Sequence, residues 1–144
     1  MIRVLHQNSG DCKKCDMVLD RYPGFHIMLR AWFKAFQGLH PEAHISCAGR
    51  GELDQEAAFT NKTSRAHYGE SAHNYNAAID LFEMRGDSRN IYERDWFVNI
   101  LKPALEPWQK WYGREGSPYP ELPHVEVSDW KFLAKTGALS LVEA

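Results

Sequence analysis

Cysteine is scarce in this sequence, and neither sign of charge is in marked excess. The 144 residues include three cysteines, 17 lysines and arginines, and 19 aspartates and glutamates, for a net charge of −2. Three cysteines cannot all pair with one another, which argues against a disulfide framework. The small net charge offers no general attraction to nucleic acid or to anionic membranes, since such partners usually require a basic surface. We therefore expect no nucleic-acid partner.

Long apolar runs and internal repeats are also missing. The apolar runs fall far short of the roughly 20 residues of a membrane-spanning helix, and residues 1–8 lack the apolar core of a signal peptide. These features predict a protein without a membrane anchor that is made in the cytoplasm and not exported by a conventional signal. With 44% hydrophobic residues and no composition break, residues 1–144 are expected to form a single domain.

The spacing of apolar residues predicts short helices and strands in alternation. The expected helices cover residues 24–37, 52–59, 93–112 and 129–135, and the expected strands cover residues 44–48, 77–82 and 124–127. Gly38 is expected to end the first helix, Pro103 and Pro107 to break or kink the third, and Ser128 to cap the last. Because no regular βαβ repeat is present, the order predicts an α+β fold, with a small, mainly antiparallel sheet and flanking helices.

Three residues stand out as candidate metal ligands. His73 ends the polar stretch 61–76, which is too long for a simple turn. Asp80 lies inside the apolar segment Ala-Ala-Ile-Asp-Leu-Phe, where a carboxylate is costly to bury unless it is paired or binds a metal. His124 begins an expected strand beside a proline-rich loop. A catalytic zinc takes three such ligands and leaves one position for water, so these residues predict a zinc site at the end of the sheet.

Two acidic residues flank the last of these histidines. Glu121 precedes His124 by three residues, and a carboxylate beside a metal can take a proton from water and deliver it to a leaving amine. Glu126 follows by two and is expected to orient a ligand or to face solvent. Each residue taken singly has a structural explanation, since an aspartate in a strand can simply pair with an arginine. The combination favours a hydrolytic site.

Two separated segments resemble the signature of a known family, the LAS zinc metallopeptidases. The family comprises D-Ala-D-Ala carboxypeptidases and phage L-alanyl-D-glutamate endopeptidases, and its signature is S-x-H-x-x-G-x-A-x-D followed later by [ED]-x-x-H. The matching residues are Ser71, His73, Ala78, Asp80, Glu121 and His124. The signature glycine is Asn76 here, and asparagine tolerates the left-handed backbone conformation that glycine allows. The resemblance covers residues from about 47 to 130.

The resemblance implies roles for the matching residues. His73, Asp80 and His124 would bind one catalytic zinc, and Glu121 would be the general base and acid. Ser71 would contact the substrate. The implied fold is that of the D-Ala-D-Ala peptidases and the hedgehog signalling domain, with the zinc site at the sheet.

A looser resemblance lies upstream, where the family often shows G-x-R-S and then a glutamine. Gly49-Arg50 and Gln55 are similar to these residues, although Gly51 follows Arg50 directly and the order differs. By this resemblance Arg50 would stabilise the substrate oxygen as it becomes an oxyanion. Gln55 would contact the substrate.

The implied function is zinc-dependent hydrolysis of a stem-peptide amide bond in peptidoglycan. Small size and the missing signal favour a monomeric phage endolysin that cuts the L-alanyl-D-glutamate bond during host cell lysis. Such an enzyme would act on periplasmic peptidoglycan after another protein has permeabilised the membrane. The alternatives are a D-Ala-D-Ala carboxypeptidase and a non-catalytic zinc-binding domain of the same fold.

One motif stands outside this resemblance. Cys12-Lys13-Lys14-Cys15 is a C-x-x-C, the spacing of a metal knuckle or a redox pair. The simpler interpretation is two reduced thiols in an N-terminal loop. The alternative is a second, structural zinc bound by Cys12, Cys15 and a nearby His or Asp. The remaining histidines outside the polar loop have no partner pattern and are expected to be structural; they are His6, His26, His40 and His44.

Overall fold

The computed structural model describes residues 4–86, 89–111, 113 and 122–143. The elements are, in chain order, α1 (Lys13–Asp20), α2 (Ile27–Leu39), β1 (Ala43–Cys47), α3 (Glu52–Thr60), a 3₁₀ turn (Ala72–Tyr75), β2 (Ala78–Arg85), β3 (Arg89–Ile91), α4 (Arg94–Trp96), a π-helical turn (Phe97–Leu101), α5 (Lys102–Ala104), β4 (Gln109–Trp111), β5 (His124–Val127) and α6 (Trp130–Lys135). Within the described ranges, no helix has the length and apolar character needed to cross a bilayer.

The five strands of the described chain form one antiparallel sheet in the order β1-β2-β5-β4, with β3 paired to β2. In the central strand β2, Asp80 is opposite Cys47 of β1 on one edge and opposite His124 of β5 on the other. Directly opposed residues project to the same face of a sheet, so the register sets Asp80 and His124 side by side. The predicted α+β fold with a mainly antiparallel sheet is confirmed.

The main core packs against the face of β2 that points away from Asp80. Ile79 and Leu81, the neighbours of Asp80 in sequence, are completely buried, because successive residues of a strand face opposite sides. The inner face of α2 meets this core with buried apolar residues at helical spacing, namely Leu29, Phe33 and Phe36. Burial of each such side chain stabilises the fold by roughly 1.5–3 kcal/mol.

The structure corrects two predicted helix ends in the first and last parts of the chain. α2 continues through Gly38 and ends at Leu39, because His40 precedes Pro41 and such a residue is driven out of the helical conformation. Ser128 does not cap the last helix. Asp129 is the residue before its first turn, and the Ser128 amide instead donates to the Trp108 carbonyl at 2.9 Å.

The helix predicted for residues 93–112 is shorter than expected. It ends at Ala104, and Gln109–Trp111 form strand β4, which pairs with β5. The helix passes through Pro103 and ends one residue later, before Pro107, so only Pro107 lies beyond a break as expected. The apolar spacing of Trp108 and Trp111, which predicted a helix, belongs to a strand. Pairing with a neighbouring strand outweighs local helical preference here. Residue 112 lies outside the described ranges.

Candidate metal centre and active-site cleft

His73 is positioned by the 3₁₀ turn that precedes β2. Ser71 caps this turn, since its Oγ accepts from the His73 amide at 3.3 Å and the side chain of Asn74 binds back to the Ser71 amide. The turn ends at Asn76, whose φ of 57° is left-handed. The expectation that asparagine takes the place of the signature glycine in this conformation is confirmed.

The ring of His73 has one nitrogen committed to the backbone. Its Nδ1 lies 2.7 Å from the Ala48 carbonyl oxygen, which can only accept, so Nδ1 donates. In the neutral ring Nε2 then carries a lone pair. Nε2 is 3.1 Å from Asp80 Oδ1 and 3.2 Å from His124 Nδ1. The His73 side chain is only 3% exposed, so this lone pair is held in a fixed direction.

The ring of His124 is oriented in the same way by a carboxylate. Its Nε2 donates to Glu126 Oε1 at 2.7 Å, and Glu126 Oε2 accepts from Trp130 Nε1 at 2.8 Å. This leaves the His124 Nδ1 lone pair facing Asp80 Oδ1 at 3.3 Å. A carboxylate that holds the far nitrogen of a histidine is a common companion of metal-binding histidines. The expectation that Glu126 orients the neighbouring histidine matches this geometry.

Three electron-rich atoms therefore converge on one point. Burial alone would raise the pKa of Asp80, but His73 and His124 outweigh it and hold this pKa well below its usual range. Burial alone would lower the pKa of His73, yet Asp80 outweighs it and raises this pKa above the ordinary value. Both shifts have one cause, because the negative Asp80 carboxylate and positive charge on the neighbouring imidazole rings stabilise each other. The triangle is built to hold a cation.

The dimensions and chemistry of the triangle fit zinc. Nitrogen and oxygen ligands about 2.0–2.1 Å from a tetrahedral zinc stand about 3.3 Å from one another, and the three sides here are 3.1, 3.2 and 3.3 Å. Cys47 is a further potential ligand near His73 and Asp80. Its sulfur, however, approaches His73 at 3.8 Å from the Nδ1 side, where the nitrogen already donates to the backbone. The fitting donor set is His73, Asp80 and His124.

Arg50 lies beside this triangle. Its guanidinium is 3.7 Å from Asp80 Oδ2, and it donates to Gln55 Oε1 at 3.2 Å and to the Cys47 sulfur at 3.4 Å. Gln55 is completely buried and makes further hydrogen bonds with Ser64, Ala66 and Asn74. Gln55 thus lies behind Arg50 and positions it, rather than lining the surface where a substrate contact was expected.

A cleft of about 620 Å³ opens over the three converging side chains. Its walls are the loop after α3, the 3₁₀ turn and the start of β5, and the residues lining it include Arg50, Ser71, His73, Asp80, His124 and Trp130. Of the predicted site residues that the structure describes, all but Gln55 line this cleft. Glu121 lies outside the described residues, so its predicted role as base and acid stays a prediction.

The comparisons with known proteins identify the fold. No protein-family model matches the sequence, and no curated protein matches it. A solved structure does match: the L-Ala D-Glu endopeptidase ChiX of Serratia marcescens, with a TM-score of 0.64 and 17% sequence identity, covering 82% of this chain and 89% of that one. This chain shares its fold with that endopeptidase. At this identity the likeness establishes the architecture and leaves function to the site itself.

The contacts that two supporting residues make could not be found by motif. The Glu126–Trp130 pair that orients His124 joins two residues four apart, across the end of β5 and the start of α6. Gln55 was picked out by resemblance, but its hydrogen bonds to Arg50 and Asn74 depend on how three separate segments pack. The sequence around a glutamine that follows an arginine does not indicate which distant residues the glutamine will contact.

Proposed function

We propose that this protein is a zinc-dependent peptidase that hydrolyses the L-alanyl-D-glutamate bond of peptidoglycan stem peptides. The observation that carries the proposal is the convergence of His73 Nε2, Asp80 Oδ1 and His124 Nδ1 at the base of an open cleft. The fold shared with an L-Ala D-Glu endopeptidase supports the substrate class.

The zinc proposed here would polarise the scissile carbonyl and lower the pKa of water to about 7, which makes a nucleophile available at neutral pH. The chain's own residues prepare the rest. Ala48 and Glu126 fix the two rings so that their lone pairs face inward. Arg50, held by Gln55, supplies a fixed positive charge beside the centre, where negative charge develops on the substrate oxygen.

Glu121 is the residue we propose to move the proton. It precedes His124 by three residues, and His124 faces the centre from the first position of β5. The backbone just after Glu121 is anchored on both sides, since the Leu122 carbonyl accepts from Trp111 Nε1 at 2.7 Å and the Pro123 carbonyl accepts from the Leu81 amide at 2.8 Å. This anchoring supports a carboxylate that takes a proton from water and returns it to the leaving amine.

The cleft also suits the charge of the substrate. D-Glutamate in a stem peptide is joined through its γ-carboxyl group, so a free α-carboxylate lies next to the scissile amide. Lys62 and Arg65, from the loop after α3, line the same cleft. Two cations in the cleft wall complement that carboxylate. A terminal D-Ala-D-Ala also ends in a carboxylate, so these cations support a carboxypeptidase as the second candidate.

The mechanism is tested by replacing Glu121 with glutamine and measuring hydrolysis of purified sacculi. We expect the rate to fall by about 10²-fold or more, while the zinc content is unchanged. Glu52→Gln, an exposed carboxylate on α3, is the matched control and keeps full activity. If the Glu121→Gln protein retains full activity with zinc bound, this mechanism is wrong.

The substrate is tested with one defined pentapeptide stem, whose products are analysed by mass spectrometry. A pentapeptide stem that releases L-alanine and a peptide beginning with D-glutamate supports the endopeptidase. Loss of one D-alanine from the same stem would instead show that the protein is a carboxypeptidase. We propose that the endopeptidase acts as a phage endolysin in host cell lysis. This role is tested by measuring lysis of permeabilised Gram-negative cells.

A further inference from the structure

Four side chains from the first third of the chain converge at a second place, away from the cleft. His6 Nδ1 lies 3.6 Å from the Cys12 sulfur and 3.5 Å from the Cys15 sulfur, and His44 Nδ1 lies 3.6 Å from the Cys15 sulfur. All four potential ligand atoms lie within 4.8 Å of one another. None of these residues belongs to the His73–Asp80–His124 triangle.

We infer that His6, Cys12, Cys15 and His44 bind a second zinc ion with a structural role. In a tetrahedral site, sulfur lies about 2.3 Å and nitrogen about 2.0–2.1 Å from zinc, which sets neighbouring sulfur and nitrogen atoms about 3.5–3.6 Å apart. The three measured sulfur–nitrogen distances fall within this range. Two thiolates and two imidazoles are the ligand set of closed, structural zinc sites.

The surrounding groups hold the ligands as such a site requires. His44 Nε2 donates to Asn8 Oδ1 at 2.8 Å, so its Nδ1 lone pair faces the sulfurs. The Cys15 sulfur accepts from the Ile45 amide and from Gln37 Nε2, both at 3.4 Å. Two N–H donors on one sulfur stabilise a thiolate. Gln37 is itself completely buried and is fixed by donating to the Ala43 carbonyl at 2.8 Å.

The other two interpretations of the C-x-x-C fit the structure less well. The cysteines do not lie in a loop, since Cys12 is the residue before α1 and Cys15 is inside this helix. A redox pair must expose a sulfur for exchange, whereas Cys12 is 1% exposed and Cys15 is not exposed at all. Neither interpretation accounts for two imidazoles with ring nitrogens directed at the sulfurs.

The site joins three parts of the chain that are distant in sequence. His6 comes from the N-terminal segment, Cys12 immediately precedes α1, Cys15 lies in its first turn, and His44 lies in β1 opposite Phe82 of β2. A zinc ion here would fasten the N-terminal segment and α1 to the edge strand of the sheet. The inference is independent of the proposed peptidase activity, because no ligand is shared.

Metal content and cobalt spectroscopy on the full-length chain test the inference. We expect two zinc ions per chain by elemental analysis, and one in the Asp80→Ala variant, which keeps only the N-terminal site. After replacement of zinc by Co²⁺, thiolate-to-cobalt charge-transfer bands should appear in both proteins. One zinc in the unaltered chain together with none in Asp80→Ala would overturn the inference, as would a cobalt protein without these bands.

The third cysteine provides a matched control. Cys15→Ser should lose one metal ion and the charge-transfer bands, whereas Cys47→Ser should keep both. The opposite pattern would assign the thiolate to the cleft and overturn the inference. His6→Ala replaces a half-buried ligand near the chain end, so it tests the site even if Cys15→Ser does not fold. We expect its N-terminal zinc to bind at least tenfold more weakly, and unchanged affinity would contradict the proposed ligand set.

Discussion

His124 donates from Nε2 to Glu126 Oε1 at 2.7 Å, and this single bond sets which nitrogen of the ring faces Asp80. Glu126 is two residues further along the same strand, and its other oxygen accepts from Trp130. The orienting carboxylate is therefore itself held by the helix that follows β5. The orientation of His124 in the candidate centre therefore depends on Glu126 and Trp130.

The first prediction concerns Glu126. Glu126→Gln removes the negative charge. It also places an amide N–H₂ opposite another donor, His124 Nε2 or Trp130 Nε1, so one of the two hydrogen bonds is lost. We expect zinc affinity at the cleft to fall about 10–100-fold, measured by competition with a chelator. Trp130→Phe removes one hydrogen bond to Glu126 and leaves its charge, so its effect should be smaller. Equal affinities in Glu126→Gln and the unaltered protein would show that the carboxylate does not support a bound metal.

The second prediction concerns Arg50. Arg50→Lys keeps a positive charge but cannot donate to both Gln55 and Cys47 while it faces Asp80. We expect kcat on a defined muropeptide to fall about 10²-fold, because the charge no longer has a fixed position in the transition state. KM should change little.

Arg85→Lys provides the control for that substitution. Arg85 is half exposed and pairs with Glu83 and Glu93 away from the cleft, so kinetics should be unchanged. A rise in KM with constant kcat in Arg50→Lys would instead assign Arg50 to ground-state binding.

The third prediction concerns Asn76, which has a left-handed φ of 57°. This conformation costs a residue with an ordinary side chain about 1–2 kcal/mol, and glycine almost nothing. Asn76 Oδ1 is also buried, with no hydrogen-bond partner among the described residues. Asn76→Gly should therefore leave the free energy of unfolding unchanged or raise it, whereas Asn76→Ala should lower it by about 1–2 kcal/mol. Urea unfolding measures both, and a less stable glycine variant would contradict the account.

The fourth prediction concerns pH. His26 caps α2, since its Nδ1 accepts from the Leu29 amide at 3.2 Å, and burial lowers the pKa of His26 below 6.5. Protonation removes this acceptor. The unfolded chain takes up the proton at higher pH than the folded chain, so the stability from neutral His26 is complete above about pH 6.5 and is lost as the pH falls below it.

His26→Asn isolates this contribution, because asparagine caps a helix without titrating. Between pH 7.5 and pH 5, we expect the unaltered protein to lose about 0.5–1 kcal/mol more stability than His26→Asn, measured by urea unfolding at each pH. Parallel losses in the two proteins would mean that His26 does not contribute to the pH dependence.

Much of the fold was predictable because its signals are local. The apolar spacing of α2, the buried strand around Asp80 and the start of β5 at His124 follow from the pattern of a few neighbouring residues. The secondary-structure predictions were wrong where contacts with distant segments of the chain determine the local conformation. Residues 109–111 form a strand because β5 is available to pair with them, and no local pattern reports an available edge. Helix α1 was missed because it is short and buries only Cys15 and Leu19, so few apolar positions mark its helical period.

The candidate site divides in the same way. By itself, the sequence determined which residues are candidates for chemistry. His73, Asp80 and His124 are indicated by their placement and by the two-part resemblance, and the C-x-x-C is indicated as a possible metal knuckle. Only the tertiary structure decided what they face. The β2–β5 register sets Asp80 beside His124. The packing of α1 on β1 brings His44 to Cys15, and the course of the N-terminal segment brings His6 to both cysteines. The reason is physical, since ligand geometry is set to a few tenths of an ångström by contacts between segments that are far apart in the chain.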